Sequence, residues 1–309
     1  MRSRPAFSTR INFALSSCFR CRVVVGQLHS KRSTRTTYVV KDTRDGTLLV
    51  GQSMERRFTF DQAADLYKVV RPGYPEALVD DVVSYADLQT ADPVLEVGCG
   101  AGQATNGFAR RGFRILAIEP GTALVRAARE RLAEFANVEF FEATFEAWPA
   151  TPSAFRLVMA AQSWHWVSPK LRFAKAAEAL SPCGSLAIFG HVPVGLPAPL
   201  LEDFEQIYLR QTGVWGPPPE AWYLPSGPIK GEFDESGLFG PVEHKAYSWN
   251  WRHTTSSYSN LLLTRSDSRM LAPEIRKRLL DEIAKAVDNH GGVFDMAYET
   301  HLYLSHRLD

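Results

Sequence analysis

The stretch that decides the fold is Val94-Leu95-Glu96-Val97-Gly98-Cys99-Gly100-Ala101-Gly102-Gln103. Its first four residues have the pattern of a short buried strand. Three glycines at alternate positions make a turn, and the residues from 103 onward read as a helix. Glycine takes up positive φ and lets a ligand come close to the backbone. A ligand held there would lie beyond the carboxyl end of the strand, against a helix N-terminus.

The glycines are spaced G-x-G-x-G and followed by Gln103. That is not the G-x-G-x-x-G that sets a pyrophosphate on a helix dipole. Glu96 stands two residues before the first glycine, a poor neighbour for a phosphate and a good one for a cation. S-adenosylmethionine (SAM) carries a sulfonium and an ammonium and no phosphate. Ile118-Glu119-Pro120 closes the next strand pattern, where a carboxylate can accept from both ribose hydroxyls. Nicotinamide sites share such an acid, so Glu119 speaks for SAM only together with Glu96 and the glycine spacing.

Outward from this loop, strand and helix patterns alternate. Helices are expected at 63–70, from Pro75, and at 103–111, 123–136 and 171–180; strands at 94–97, 115–119, 138–142, 155–161 and 185–189. This alternation means βαβ units and a parallel sheet covered on both faces. Residues 191–240 break the rhythm with eight of the nineteen prolines, and read as an irregular insertion with helical pieces. Either a packed surface excursion or a lid over a substrate pocket fits it. A strand at 242–254, a helix at 273–287 and a strand at 293–306 complete the chain and could close the sheet edge. Trp249 and Trp251 are most simply packed on one face of the first of these strands.

The 309 residues carry a net charge of +1, which hides a split: residues 1–53 hold +8 and residues 54–309 hold −7. An acidic body argues against a surface that coats nucleic acid, and no Asn-Pro-Pro-Tyr run follows the fourth strand, which disfavours methylation of flipped-out bases. No run of eighteen apolar residues exists, so no membrane span is expected. Cys18 and Cys21 form half of a metal-ligand pattern without a second pair nearby, and no metal is expected. The leader is rich in Arg, Ser and Thr and is expected to be mostly disordered, as a targeting segment or as an upstream extension before Met54. A cytoplasmic location is expected, with organelle targeting by 1–53 as the alternative; the oligomeric state is left open.

The chain resembles class I SAM-dependent methyltransferases of the small-molecule kind, close to the ubiquinone-biosynthesis and trans-aconitate type. The resemblance rests on residues 60–75 (F-D-Q-A-A-D-L-Y-K-V-V-R-P-G-Y-P), the E-x-G-x-G-x-G loop, Ile118-Glu119-Pro120, Phe145-Glu146-Ala147-Trp148, Gln162-Ser163-Trp164-His165-Trp166 and Leu180-Ser181-Pro182-Cys183-Gly184. It implies an α/β, Rossmann-like seven-stranded sheet of order 3-2-1-4-5-7-6 with strand 7 antiparallel and helices on both faces. By position, it implies that Glu96, Gly98, Gly100 and Gly102 face the methionyl part of SAM and that Glu119 with Pro120 holds the ribose. Thr144 and Phe145 would flank the adenine, Tyr67, Arg71 and Tyr74 would cap the cofactor, and Gln162 would lie beside the transferred methyl. It divides residues 54–309 into an N-terminal cap (54–91), a SAM-binding core (92–190), a substrate-side insertion (191–240) and a sheet-closing part (241–309). Three positions depart from the family pattern: Thr144 replaces an acid, Phe155-Arg156 replaces F-D, and Pro182-Cys183-Gly184 replaces P-G-G.

The expected activity is transfer of a methyl group to an oxygen, nitrogen or carbon of a small molecule. His165 is a candidate general base or substrate orienter, or else a histidine that packs structurally, and His191 is a weaker candidate for the same work. Arg71 could pair with the cofactor carboxylate or cap the preceding helix. The rivals are a SAM-binding module without turnover and, opposed by the glycine spacing, an NAD-dependent oxidoreductase.

Overall fold

A computed structural model describes Asp61 and residues 64–308, together with the backbone of three short segments nearer the N-terminus. The chain divides into two units, 1–56 and 57–309. Within the first, β1 (Gly26–Leu28), β2 (Thr37–Lys41) and β3 (Leu48–Val50) pair antiparallel. Cys18, Cys21 and Phe60 lie outside the described residues.

The second unit is built on a sheet of seven strands: β4 (Pro93–Val97), β5 (Arg114–Glu119), β6 (Val138–Glu142), β7 (Phe155–Ala161), β8 (Leu180–Gly195), β9 (Glu243–Thr254) and β10 (Val293–His306). Their spatial order is β6-β5-β4-β7-β8-β10-β9, which is 3-2-1-4-5-7-6 when counted from β4. Only β10 runs against its neighbours, pairing antiparallel with β8 and β9. The central strand β4 is apolar apart from Glu96 and buried from Val94 to Val97, as a parallel strand covered on both faces must be.

Helices α1 (Ala64–Val70), α2 (Glu76–Tyr85), α3 (Gln103–Ala109), α4 (Thr122–Arg131) and α5 (Arg172–Ala179) lie in the first half of this unit. Leu78, Val79, Val82 and Phe108 bury one face of the sheet, and Phe145, Trp148, Trp164 and Phe173 bury the other. Helix α4 stops at Arg131, five residues before the expected end, because a turn at Leu132–Phe135 brings in Asn137. The Asn137 amide then donates to the carbonyls of Ala109 and Phe113.

Strand β8 is much longer than the expected 185–189. It pairs with β7 on one side and, from Ser185 to Gly195, with β10 on the other. The Pro182-Cys183-Gly184 irregularity hides its start: the β7 register shifts there and Cys183 takes φ +57°. Residues 191–240 are also more regular than expected. They contain α6 (Ala198–Thr212), a 3₁₀ turn at Pro219–Tyr223 and α7 (Ile229–Ser236). Pro197, Pro218 and Pro228 stand immediately before these elements, so the prolines punctuate helix starts.

Helix α8 (Thr255–Leu263), missed in the sequence, opens with a capping box between Thr254 and Ser257. The short α9 (Ser266–Arg269) and α10 (Pro273–Asn289) follow. Helices α6, α8 and α10 cover the β9–β10 side with Phe204, Tyr258, Leu279 and Ile283. Among the described residues no helix is long and apolar enough to cross a membrane.

Candidate functional site

One cavity opens at the carboxyl ends of β4, β5 and β7, with about 930 Å³ of free space including its mouth. Its floor is the glycine turn. Gly98, Gly100 and Gly102 have φ of +70°, +57° and +81°. Gly98 is fixed by packing as well as by conformation: an added Cβ would stand 2.6 Å from Cβ of Ser163. The amides of Gly98 and Cys99 both donate to the Ile118 carbonyl, at 2.8 and 3.1 Å, folding the turn back onto β5. Gly102 is the N-cap of α3 and is not on the wall. It gives room to Leu132, whose Cδ1 would be 2.9 Å from an added Cβ.

Two of the carboxylates lining the cavity are buried. Glu96 is fully buried; its Oε2 accepts from the Thr105 hydroxyl at 2.6 Å and its Oε1 has no hydrogen-bond partner. Burial pushes its carboxyl up to about 7; the Thr105 bond opposes this and the charge of Glu119 adds to it. Glu119 accepts from the Gly100 amide at 3.0 Å and the Gly121 amide at 2.9 Å. Burial also pushes it up to about 7, against the two amide bonds. Each Glu119 oxygen keeps acceptor capacity beyond its amide.

The ceiling comes from the segment between α1 and α2. Tyr67, Arg71, Pro72 and Tyr74 line the cavity there. Arg71 does not cap its own helix; it donates from Nε to Oγ1 of Thr264 and from Nη2 to the Thr264 carbonyl, both at 3.1 Å, tying the ceiling to the end of α8. Its guanidinium lies over the Tyr67 ring at 5.0 Å. On the far wall, Thr144 Oγ1 accepts from the Ala147 amide at 3.2 Å, so this residue stabilises its own turn. Phe145 is buried and stacks on Trp148 at 6.0 Å.

Gln162, at the end of β7, is held at φ +51° by its amide's bond to the Phe189 carbonyl (2.8 Å) and donates from Nε2 to the His191 carbonyl at 3.2 Å. A non-glycine residue in that conformation carries strain that the surrounding structure must hold.

The predicted residues Tyr67, Arg71, Glu96, Gly98, Gly100, Glu119, Pro120, Thr144, Phe145 and Gln162 all line the cavity. His165 does not. It sits in the 3₁₀ turn Trp164–Trp166 with Nδ1 3.1 Å from the Tyr223 hydroxyl, among the rings of Trp166, Trp222 and Tyr223. The insertion surrounds His165 through Trp222 and Tyr223, and contributes no residue to this wall.

His191 does not have the setting of a base. Both its ring nitrogens are engaged, and burial pushes it down to about 3, so it stays neutral. Sequence reasoning overlooked Glu146, which lines the cavity and accepts from the Ser168 amide at 3.0 Å; its place directly after the Thr144-Phe145 turn was the available signal. Among the described residues no group of three or more His, Cys, Asp or Glu side chains could hold a metal ion.

A buried carboxylate oxygen without a partner, on a residue that lines a cavity, suits a cation and repels a pyrophosphate. With a second carboxylate one strand over and a glycine turn between them, the donor set fits a sulfonium- and ammonium-bearing nucleoside. The sheet order and this site are those of a class I SAM-dependent methyltransferase. Its residues 94–184 match the family described as a methyltransferase domain.

An uncharacterized methyltransferase of Mycobacterium tuberculosis is 23% identical over 232 residues, 75% of this chain and 86% of that protein. A ribosomal RNA small subunit methyltransferase A of Anaeromyxobacter dehalogenans is 32% identical over 126 residues, 41% of this chain and 38% of its own. A solved structure from Anaeromyxobacter dehalogenans, provisionally assigned as a type II methyltransferase, has TM-score 0.56 and 22% identity, covering 76% of this chain and 97% of that one. This last likeness is one of fold.

Proposed function

We propose that the chain binds SAM between Glu96 and Glu119 and transfers its methyl group to an oxygen, nitrogen or carbon of a small molecule. The observation that carries the reading is the unpartnered Glu96 Oε1 on the wall of a cavity whose floor is the glycine turn. The cofactor supplies a methyl group already activated on a positive sulfur. Glu96 with the close-approaching backbone of Gly98 and Gly100 holds the methionyl end, and Glu119 with Pro120 holds the ribose. Thr144 and Phe145 flank the adenine, and Tyr67 and Arg71 close over the whole.

In-line placement then supplies much of the acceleration, so the chain's main task is to orient the acceptor. Gln162, locked at the end of β7, is the residue for that task. His165 supports the turn that brings Trp166 and Val167 to the wall. The small-molecule reading is supported by the acidic body and by walls built from several elements around one hollow. The match to ribosomal RNA methyltransferases, confined to part of the chain, favours RNA as the second reading.

Calorimetry with SAM and with NAD tests the cofactor: SAM heat without NAD heat is expected, and the reverse refutes the assignment. Labelled SAM with a panel of small acids, phenols and amines, and with ribosomal RNA fragments in a separate arm, tests the acceptor. Label on RNA alone would replace the small-molecule reading. Binding without transfer in every arm would leave a SAM-binding module.

A further inference from the structure

We propose that His191 is a positioning residue, the latch that holds the 71–74 ceiling closed over the cofactor cavity; this rests on the SAM reading above. His191 on β8 stands opposite Thr300 on β10, and Trp249 comes from the neighbouring β9. Trp249 Nε1 lies 2.9 Å from Thr300 Oγ1, which lies 2.8 Å from His191 Nδ1; His191 Nε2 lies 3.1 Å from the carbonyl oxygen of Gly73.

These distances allow one proton arrangement. The indole N–H only donates, so Thr300 Oγ1 accepts from it. The threonine proton then goes to His191 Nδ1, which must be the bare nitrogen. The remaining ring proton sits on Nε2 and is donated to the Gly73 carbonyl. A neutral imidazole, with a relay that starts two strands away, thus ends on the backbone of the ceiling. A charged ring would carry a proton on Nδ1, where the threonine now donates, and Thr300 would have to turn its own proton away.

Packing points to the same part. The Tyr74 ring stacks on His191 at 4.3 Å and 20°, and meets Phe189 edge-on at 4.8 Å. Trp249 closes the other side of the imidazole at 5.0 Å and 70°. The His191 carbonyl also receives the Gln162 amide, so one residue sets both the ceiling and the far wall. Both His191 nitrogens are engaged by the protein, and His191 is not on the cavity wall. Its effect passes through Gly73 and Tyr74. If the ceiling must be closed to bind, opening it lowers the competent fraction and weakens binding in proportion.

Calorimetric titration of SAM into the full-length chain tests this. His191→Phe keeps the ring and the stack but loses the donor, and is expected to bind SAM about tenfold more weakly, the worth of one ordinary hydrogen bond. His191→Gln, which restores an N–H toward Gly73, is expected to return to within about threefold of wild type. Should His191→Phe fail to fold, Thr300→Val and Thr300→Ser carry the test from a residue remote from the cavity: affinity should follow the hydroxyl, falling in the valine variant and holding in the serine variant. Wild-type affinity in His191→Phe, equal losses in the Phe and Gln variants, or equal affinities in the Thr300 pair would overturn the latch while leaving the SAM reading intact. A wild-type chain that takes up no SAM would overturn both.

Discussion

Replacing Glu96 by Gln should stabilise the protein relative to wild type as the pH rises. The Glu96 carboxyl ordinarily titrates near 4.5 and is pushed up to about 7 in the fold, chiefly by burial. Below pH 4.5 it is protonated in both folded and unfolded chains and makes no difference. Between 4.5 and 7 the unfolded chain gives up the proton while the folded chain keeps it, so wild-type stability falls by about 1.4 kcal/mol per pH unit. Above 7 the loss is complete, at about 3 kcal/mol for a shift of this size. The glutamine amide placed against the unpartnered position costs about 1–3 kcal/mol, but at every pH alike, so it drops out of the comparison.

Urea unfolding of both proteins at pH 4.5, 6, 7 and 8 measures the effect. The difference in unfolding free energy should move by about 3 kcal/mol in favour of the variant between the first and last pH. The same variant should lose at least about tenfold in SAM affinity at pH 8, where the wild-type carboxylate is charged. A stability difference flat to within about 1 kcal/mol across the range refutes the reasoning that this carboxylate is buried at a cost the apo fold bears.

Glu119→Gln should raise the SAM dissociation constant by about ten- to a hundredfold in calorimetry, because an amide leaves one of the Gly100 and Gly121 N–H groups facing another donor. Gly98→Ala should lower the unfolding free energy by about 2–3 kcal/mol in urea, since strained φ and a 2.6 Å approach to Ser163 act together. Arg172→Met should cost about 3 kcal/mol in the same assay: it strands Glu232 and leaves the Trp164 and Val167 carbonyls without their shared donor.

Much of this fold is written locally. Val94–Val97 has the run of a buried strand, the glycines at 98, 100 and 102 mark a turn that other residues would strain, and the acids at 96 and 119 stand where adjacent parallel strands end together. Placement against a remote partner could not be read. His165 looks like a site residue from its position after β7, yet Tyr223, 58 residues on, draws it off the wall. Arg71 suggested a cap on its own helix and instead reaches Thr264, 193 residues away. Strand β8 looked short because its pairing with β10 is non-local, while the irregularity at its start is local. The prolines of 191–240 read as an irregular insertion with helical pieces, and three of them stand just before helical elements.

The tether from Arg71 to Thr264 and the contact from His191 to Gly73 bear on how this chain can be cut. Residues 94–184, the stretch that aligns with the family, hold the floor and the acids of the hollow, but not Arg71 and Gly73 nor their anchors Thr264 and His191. A fragment trimmed to that stretch would be an open bowl. One fastener of the roof, Thr264, lies far along the chain, so on the proposed reading a deletion beyond residue 260 should be felt at the cavity.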